Sequence, residues 1–234
     1  MKAQDVIDEL AKYENPSDAE FLQRFFKTGE GQYGEGDVFI GLRVPQSRKV
    51  AKQFIDLSLR EIEYLLESPI HEHRLVALII LTLQIKRANV DKAKDIYELY
   101  LRRTARVNNW DLVDVSCRDI VGRYLFDKSR KPLYDLANST NMWERRIAIV
   151  STWWFIRELQ LDDTFKISKI LLHDSEDLIQ KAVGWMLREA GKKNEGSLIE
   201  FLESYASSMP RTMLRYSVER LSISDKSRFM LAKK

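Results

Sequence analysis

The stretch HRLVALIIL, residues 73–81, decides the fold. One cation, Arg74, stands at the head of an apolar run, and such a run returns four times further along the chain, headed three times by a cation and once by Trp110. It recurs in NWDLVDVSC (109–117), RRIAIVSTWW (145–154), QKAVGWML (180–187) and LRYSVERL (214–221). Aligning the runs gives a column of Arg74, Trp110, Arg146, Lys181 and Arg215, with steps of 36, 36, 35 and 34 residues. A period of this size is the signature of stacked helical repeats, in which each unit buries its apolar face only against its neighbours. Four members of the column are cations. One wall of such a stack is therefore expected to offer a groove to a polyanion.

Working outward, the chain reads as helix almost throughout. Helices are predicted at 3–13, 17–27, 45–56, 59–67, 70–86, 91–104, 109–124, 130–138, 142–158, 162–172, 176–191, 195–206, 210–221 and 224–232. Breaks and caps fall at Asn15-Pro16-Ser17, Ser68-Pro69, Asn89, Asn138–Asn141, Asp174-Ser175 and Met209-Pro210. Residues 28–44 form a glycine-rich loop, and no segment shows the two-residue alternation of a strand. The expectation is an all-α fold: a right-handed solenoid of roughly six HEAT-like antiparallel helix pairs with a basic concave groove. Residues 1–234 are expected to make one domain, an N-terminal helical segment followed by stacked repeats over 45–234. Cutting it into two independent domains is expected to fail.

Composition agrees. Only 9 Gly and 5 Pro in 234 residues suit long helices with short joints. The single Cys117 excludes an internal disulfide framework and a Cys-rich zinc site, and fits a cytoplasmic protein. The opening MKAQDVIDELAKYE is amphipathic and acidic, unlike a signal peptide, and the apolar stretch LVALIILTL is half the length a bilayer needs. Of 38 Lys and Arg and 35 Asp and Glu, residues 1–70 hold 9 and 13, whereas 71–234 hold 29 and 22. That imbalance permits a basic face on a chain whose net charge is only +3.

Two motifs invite other readings. Gly29-Glu30-Gly31-Gln32-Tyr33-Gly34 matches a dinucleotide-binding pattern, but it follows a helix rather than a strand. Glu30, Glu35 and Asp37 would also repel a pyrophosphate, so no nucleotide cofactor is expected. His71 and His73 are two apart, which does not allow a shared metal on one helix face, and His173 has no Cys or His nearby; no metal is expected. The remaining constellation is Trp110, Asp114 and Arg146. Trp110 and Asp114 are one turn apart on one helix, and Arg146 holds the equivalent place one repeat later. A buried core Trp with an inter-repeat Asp–Arg salt bridge is the structural alternative.

NNWDLVD (108–114), MWERRIAIV (142–150), LIQKAVGWMLREAGK (178–192) and FFKTGEGQYGEGDVFIGLRVPQSRK (25–49) together resemble the DNA alkylation repair family of AlkD-type alkylpurine DNA glycosylases. The resemblance spans residues 25–192. It implies a helical solenoid that binds duplex DNA and hydrolyses the N-glycosidic bond of cationic N3- or N7-alkylated purines in base-excision repair. It also implies Asp114 as catalytic carboxylate with Trp110 and Arg146 beside it, and Arg43, Lys181, Trp185 and Arg188 as DNA contacts. A single chain suffices for the groove, so a monomer is expected, without a membrane partner. Asn109, Asp177 and Leu178 depart from the aromatics that some relatives carry there. Two rival functions follow from the same fold: a DNA-structure-binding paralogue without activity, and a protein-binding scaffold.

Overall fold

The computed structural model describes residues 1–231 and is all-helical. Among the described residues there are fourteen α-helices: α1 Ala3–Ala11, α2 Pro16–Phe25, α3 Val44–Gln53, α4 Leu59–Leu66, α5 His71–Ile85, α6 Val90–Arg102, α7 Trp110–Cys117, α8 Lys131–Ala137, α9 Met142–Arg157, α10 Asp162–Ile170, α11 Asp177–Gly191, α12 Glu195–Tyr205, α13 Arg211–Ser217 and α14 Ile223–Met230. Each predicted helix has its counterpart. Residue 232, the last of the final predicted helix, lies outside the described residues. The predicted helix 109–124 is one helical run in which α7 passes into a π turn over Arg118–Gly122.

Helix starts follow the local chemistry. Asn15, Asn89, Asn141 and Asn194 each accept a backbone N–H of the first turn, as do Ser58 and Ser222. These caps satisfy donors that the helix itself leaves open. Ser68 and Asp174, predicted breaks, accept the amides of Ile70 and Glu176 just ahead of α5 and α11.

The chain divides into two compact units, Met1–Ile120 and one beginning at Val121. In the first, α5 packs against α3, α4, α6 and α7. Every residue from His71 to Thr82 is buried, so α5 is enclosed on all sides. In the second unit α9 packs on α8, α10 and α11, and α11 on α12 and α13. A Cβ at Gly184 of α11 would meet the Met213 carbonyl oxygen of α13 at 2.5 Å. Glycine there lets the two helices approach closely.

The repeat column lies on every second helix: Arg74 on α5, Trp110 on α7, Arg146 on α9, Lys181 on α11 and Arg215 on α13. Their surroundings differ. Arg74 is only 1% exposed and bonds to Asp37, so it belongs to the interior of its unit rather than to an open groove wall. That corrects the expectation for its place in the column.

Candidate functional site

The glycine-rich loop after α2 is shaped by α5. Backbone at Val38 pairs with Ile70, and the Val38 carbonyl accepts the amide of His71 at 2.8 Å. The Glu72 carboxylate, 1% exposed, accepts the amides of Ile40 (3.1 Å), Gly41 (2.9 Å) and Leu42 (3.1 Å). Gly41 has φ +91°, and a Cβ on it would sit 2.0 Å from the Asn15 carbonyl oxygen. Only glycine fits a turn so placed. Gly29–Gly34, the stretch that matches the dinucleotide pattern, lies in this connector between α2 and α3. Its Gly31 amide donates to Glu35, a carboxylate standing where a phosphate would have to bind.

Inside this loop lies a charge network that the sequence reading missed. His71 Nδ1 is 3.0 Å from Asp37 Oδ2, and Nε2 is 2.8 Å from Asp111 Oδ2. Carboxylates accept and do not donate, so both ring nitrogens carry protons and His71 is an imidazolium. Burial alone would push its pKa down; Asp111 and Asp37 outweigh that and hold it at about 9. Burial pushes Asp37 up, but the His71 bond and the Arg74 charge bring it below the usual carboxylate range. Arg74 Nη2 reaches Asp37 Oδ1 at 2.5 Å, and its Nη1 donates to the Ser68 carbonyl. Two anions and two cations balance.

Aromatic rings cover this network. Phe39 stacks on His71 at 4.4 Å, Phe26 on Phe39 at 5.0 Å, and Trp110 on Phe26 at 5.2 Å. Phe25 meets Trp110 edge-on at 6.1 Å. Trp110 opens α7 and is half-buried; Asp114, also half-buried, follows one turn later on the same helix. The structure therefore brings Trp110 and Asp114 together on one helix face. Asn109, a departure from the aromatic of some relatives, is fully buried. Its side-chain oxygen accepts the Trp110 amide at 2.8 Å, and its Nδ2 faces Asp37 Oδ2 at 3.4 Å.

The other predicted residues have distinct settings. Arg146 on α9 is 6% exposed and donates from Nη1 to the Leu178 carbonyl at 2.6 Å. Lys181 lies 2.7 Å from Asp177, whose hydrogen bond raises its pKa. Trp185 meets Trp153 edge-to-face at 5.0 Å. Arg188 pairs with Glu219 and Glu189. Arg43 pairs with Asp18 at 2.5 Å and lies over the Phe21 ring. All three candidate basic DNA contacts are thus neutralised locally by acids. Among the described residues no group of three or more His, Cys, Asp or Glu is placed to hold a metal ion, and no helix is long and apolar enough to cross a membrane.

A family model described as DNA alkylation repair enzyme matches residues 6–221. The chain belongs to the DNA alkylation repair family. Among solved structures it is similar to a "Predicted DNA alkylation repair enzyme from Enterococcus faecalis", with a TM-score of 0.70 and 20% identity over 90% of this chain and 97% of that one. A likeness at that identity speaks for the fold. No curated protein matches the chain.

Proposed function

We propose that this DNA alkylation repair protein is a glycosylase that hydrolyses the N-glycosidic bond of N3- or N7-alkylated purines in duplex DNA. The observation that carries the reading is the pairing on α7: Asp114 one turn beyond Trp110, at the rim of an aromatic wall, in a chain of this family. An alkylated purine of this kind already bears positive charge and leaves without a general acid. Breaking its bond builds cationic character on the sugar. A carboxylate beside that sugar stabilises the oxocarbenium-like transition state and orients the attacking water. The indole face of Trp110 attracts the same positive charge. Arg146 serves to hold a backbone phosphate, a positioning role without sequence information. Arg43, Lys181, Trp185 and Arg188 act as further DNA contacts. No cofactor enters the chemistry, one chain suffices, and the setting is the cytoplasm, on the nucleoid.

The test is release of free base from duplex carrying N7-methylguanine or N3-methyladenine. Wild type should release base, and Asp114→Asn should lower the single-turnover rate about 100-fold or more while DNA affinity holds. No release from either lesion by wild type, with duplex binding retained, would instead make this a DNA-binding paralogue without activity.

A further inference from the structure

We infer that His71 is a positioning residue for Trp110 and Asp114, acting through Asp111 and the Phe26–Phe39 ring stack; this rests on the glycosylase reading above.

Three observations meet here. First, the clamp grips α7 at its start. Asp111 is the second residue of the helix, between Trp110 and the turn that carries Asp114, and one of its carboxylate oxygens is held by His71. The other accepts the neighbouring Leu112 amide at 2.8 Å, so the carboxylate is fixed at both ends. Second, the far side of the imidazolium is anchored elsewhere in the chain: Asp37 of the loop takes Nδ1 and is itself fastened by Arg74. Third, Phe39 stacks on the His71 ring and Phe26 lies tilted beside it at 5.3 Å, and Phe26 is the ring on which Trp110 rests. His71 therefore reaches Trp110 by two routes, one through hydrogen bonds and one through stacked rings.

α7 is only eight residues long. It runs straight into the π turn over Arg118–Gly122, with Leu112, Val113 and Cys117 on its buried face, so the setting of its first turn depends on what holds the side chains there. A rotation of ~10° moves a side-chain tip by ~1 Å, a displacement that costs an active site up to about 100-fold in rate. The charged groups facing the ring and its partners are Asp37 from the loop, Asp111 from α7 and Arg74 from α5, with Arg106 acting on Arg74 and the Asn108 and Asn109 amides 3.4 Å from Asp37. His71 is not placed to touch DNA, being 1% exposed. Its role is indirect.

The deciding variant is His71→Gln. A glutamine amide donates to one carboxylate but turns its oxygen toward the other. Adding Asp111→Asn supplies a donor for that oxygen and restores a complementary chain. On N7-methylguanine duplex, His71→Gln should slow single-turnover release at least tenfold with Kd for DNA within about twofold, and the double variant should recover most of the rate. Release by His71→Gln at the wild-type rate, or a loss that follows DNA affinity instead, would overturn the inference. A second readout covers poor folding and an inactive wild type alike. In ¹⁵N-labelled wild type, both His71 ring nitrogens should be protonated at neutral pH, and the Trp110 indole N–H resonance should move in Asp111→Asn. If wild type releases no base, the glycosylase reading fails by itself. The clamp is then judged on that resonance alone, and an unmoved Trp110 signal would sink it.

Discussion

Helices α5 and α9 carry arginines at the same place in the repeat, Arg74 and Arg146, yet the two reach different parts of their units. Arg74 gives its guanidinium to a buried carboxylate, Asp37, and to the Ser68 carbonyl. Arg146 donates to a backbone carbonyl, that of Leu178. The neighbouring Arg145 takes the acid there, Asp174, together with the Ser139 and Thr140 carbonyls. Equal spacing in a repeat thus places a side chain on equivalent helices without assigning it a task. In the first unit the arginine reaches back along the chain, to the glycine-rich loop and to Ser68; in the second it reaches forward, to the start of α11.

The comparison breaks most sharply under substitution. Arg74→Met leaves Asp37 short of a partner inside the protein and should cost about 3–5 kcal/mol in urea unfolding. A loss below about 1 kcal/mol would show that Asp37 does not depend on Arg74.

Acidity probes the first unit further. His71 is held at about 9 in the fold against an ordinary 6.5. Its contribution is therefore complete below pH 6.5 and is lost as pH rises through about 9, on the order of 3 kcal/mol in all. His73, two residues on, is pushed down to about 4 by burial and by the Arg74 charge. Its contribution is present above pH 6.5 and is lost as pH falls through about 4. Adjacent histidines should thus give stability limbs of opposite slope, measurable as Tm from pH 4 to 10. His71→Gln should flatten only the alkaline limb, and His73→Asn only the acid one.

Arg146→Met removes the donor to the Leu178 carbonyl and should lower stability by at least about 1 kcal/mol in urea unfolding. The smallest effect is expected at Lys181. Asp177→Asn frees its ammonium, so DNA affinity should rise several-fold at low salt. The slope of log Kd against log salt should steepen by up to about 0.9, one phosphate's share. An unchanged slope would place Lys181 away from DNA.

The helices were legible because periodicity and caps are local. Asn15, Asn89 and Asn141 announce their helices within three residues. The π turn was not, since it answers to distant packing: a Cβ on Gly122 would stand 2.3 Å from the Ser151 carbonyl oxygen. Trp110 and Asp114 were legible as a helical i, i+4 pair. The His71 clamp was not, because its partners lie 34 and 40 residues away. A signal was present nonetheless. Four polar residues, His71-Glu72-His73-Arg74, open the most deeply buried helix of the chain, and polar groups at such a place require partners. The acids opposite Arg43, Lys181 and Arg188 were hidden in part for the same reason: Asp177 was in view, whereas Asp18 comes from α2 and Glu219 from the turn after α13.

Glu72 also sets an order of events in time. The amides it gathers belong to residues 30–32 positions earlier in the chain. On a ribosome adding about 5–20 residues per second, the loop emerges roughly two to six seconds before the residue that gives it shape. During that interval Asp37 has neither His71 nor Arg74 to meet, and the glycine-rich segment waits as open chain. The aromatic wall of the site therefore draws on early-synthesised residues, Phe26 and Phe39, whose surroundings are completed only when α5 follows.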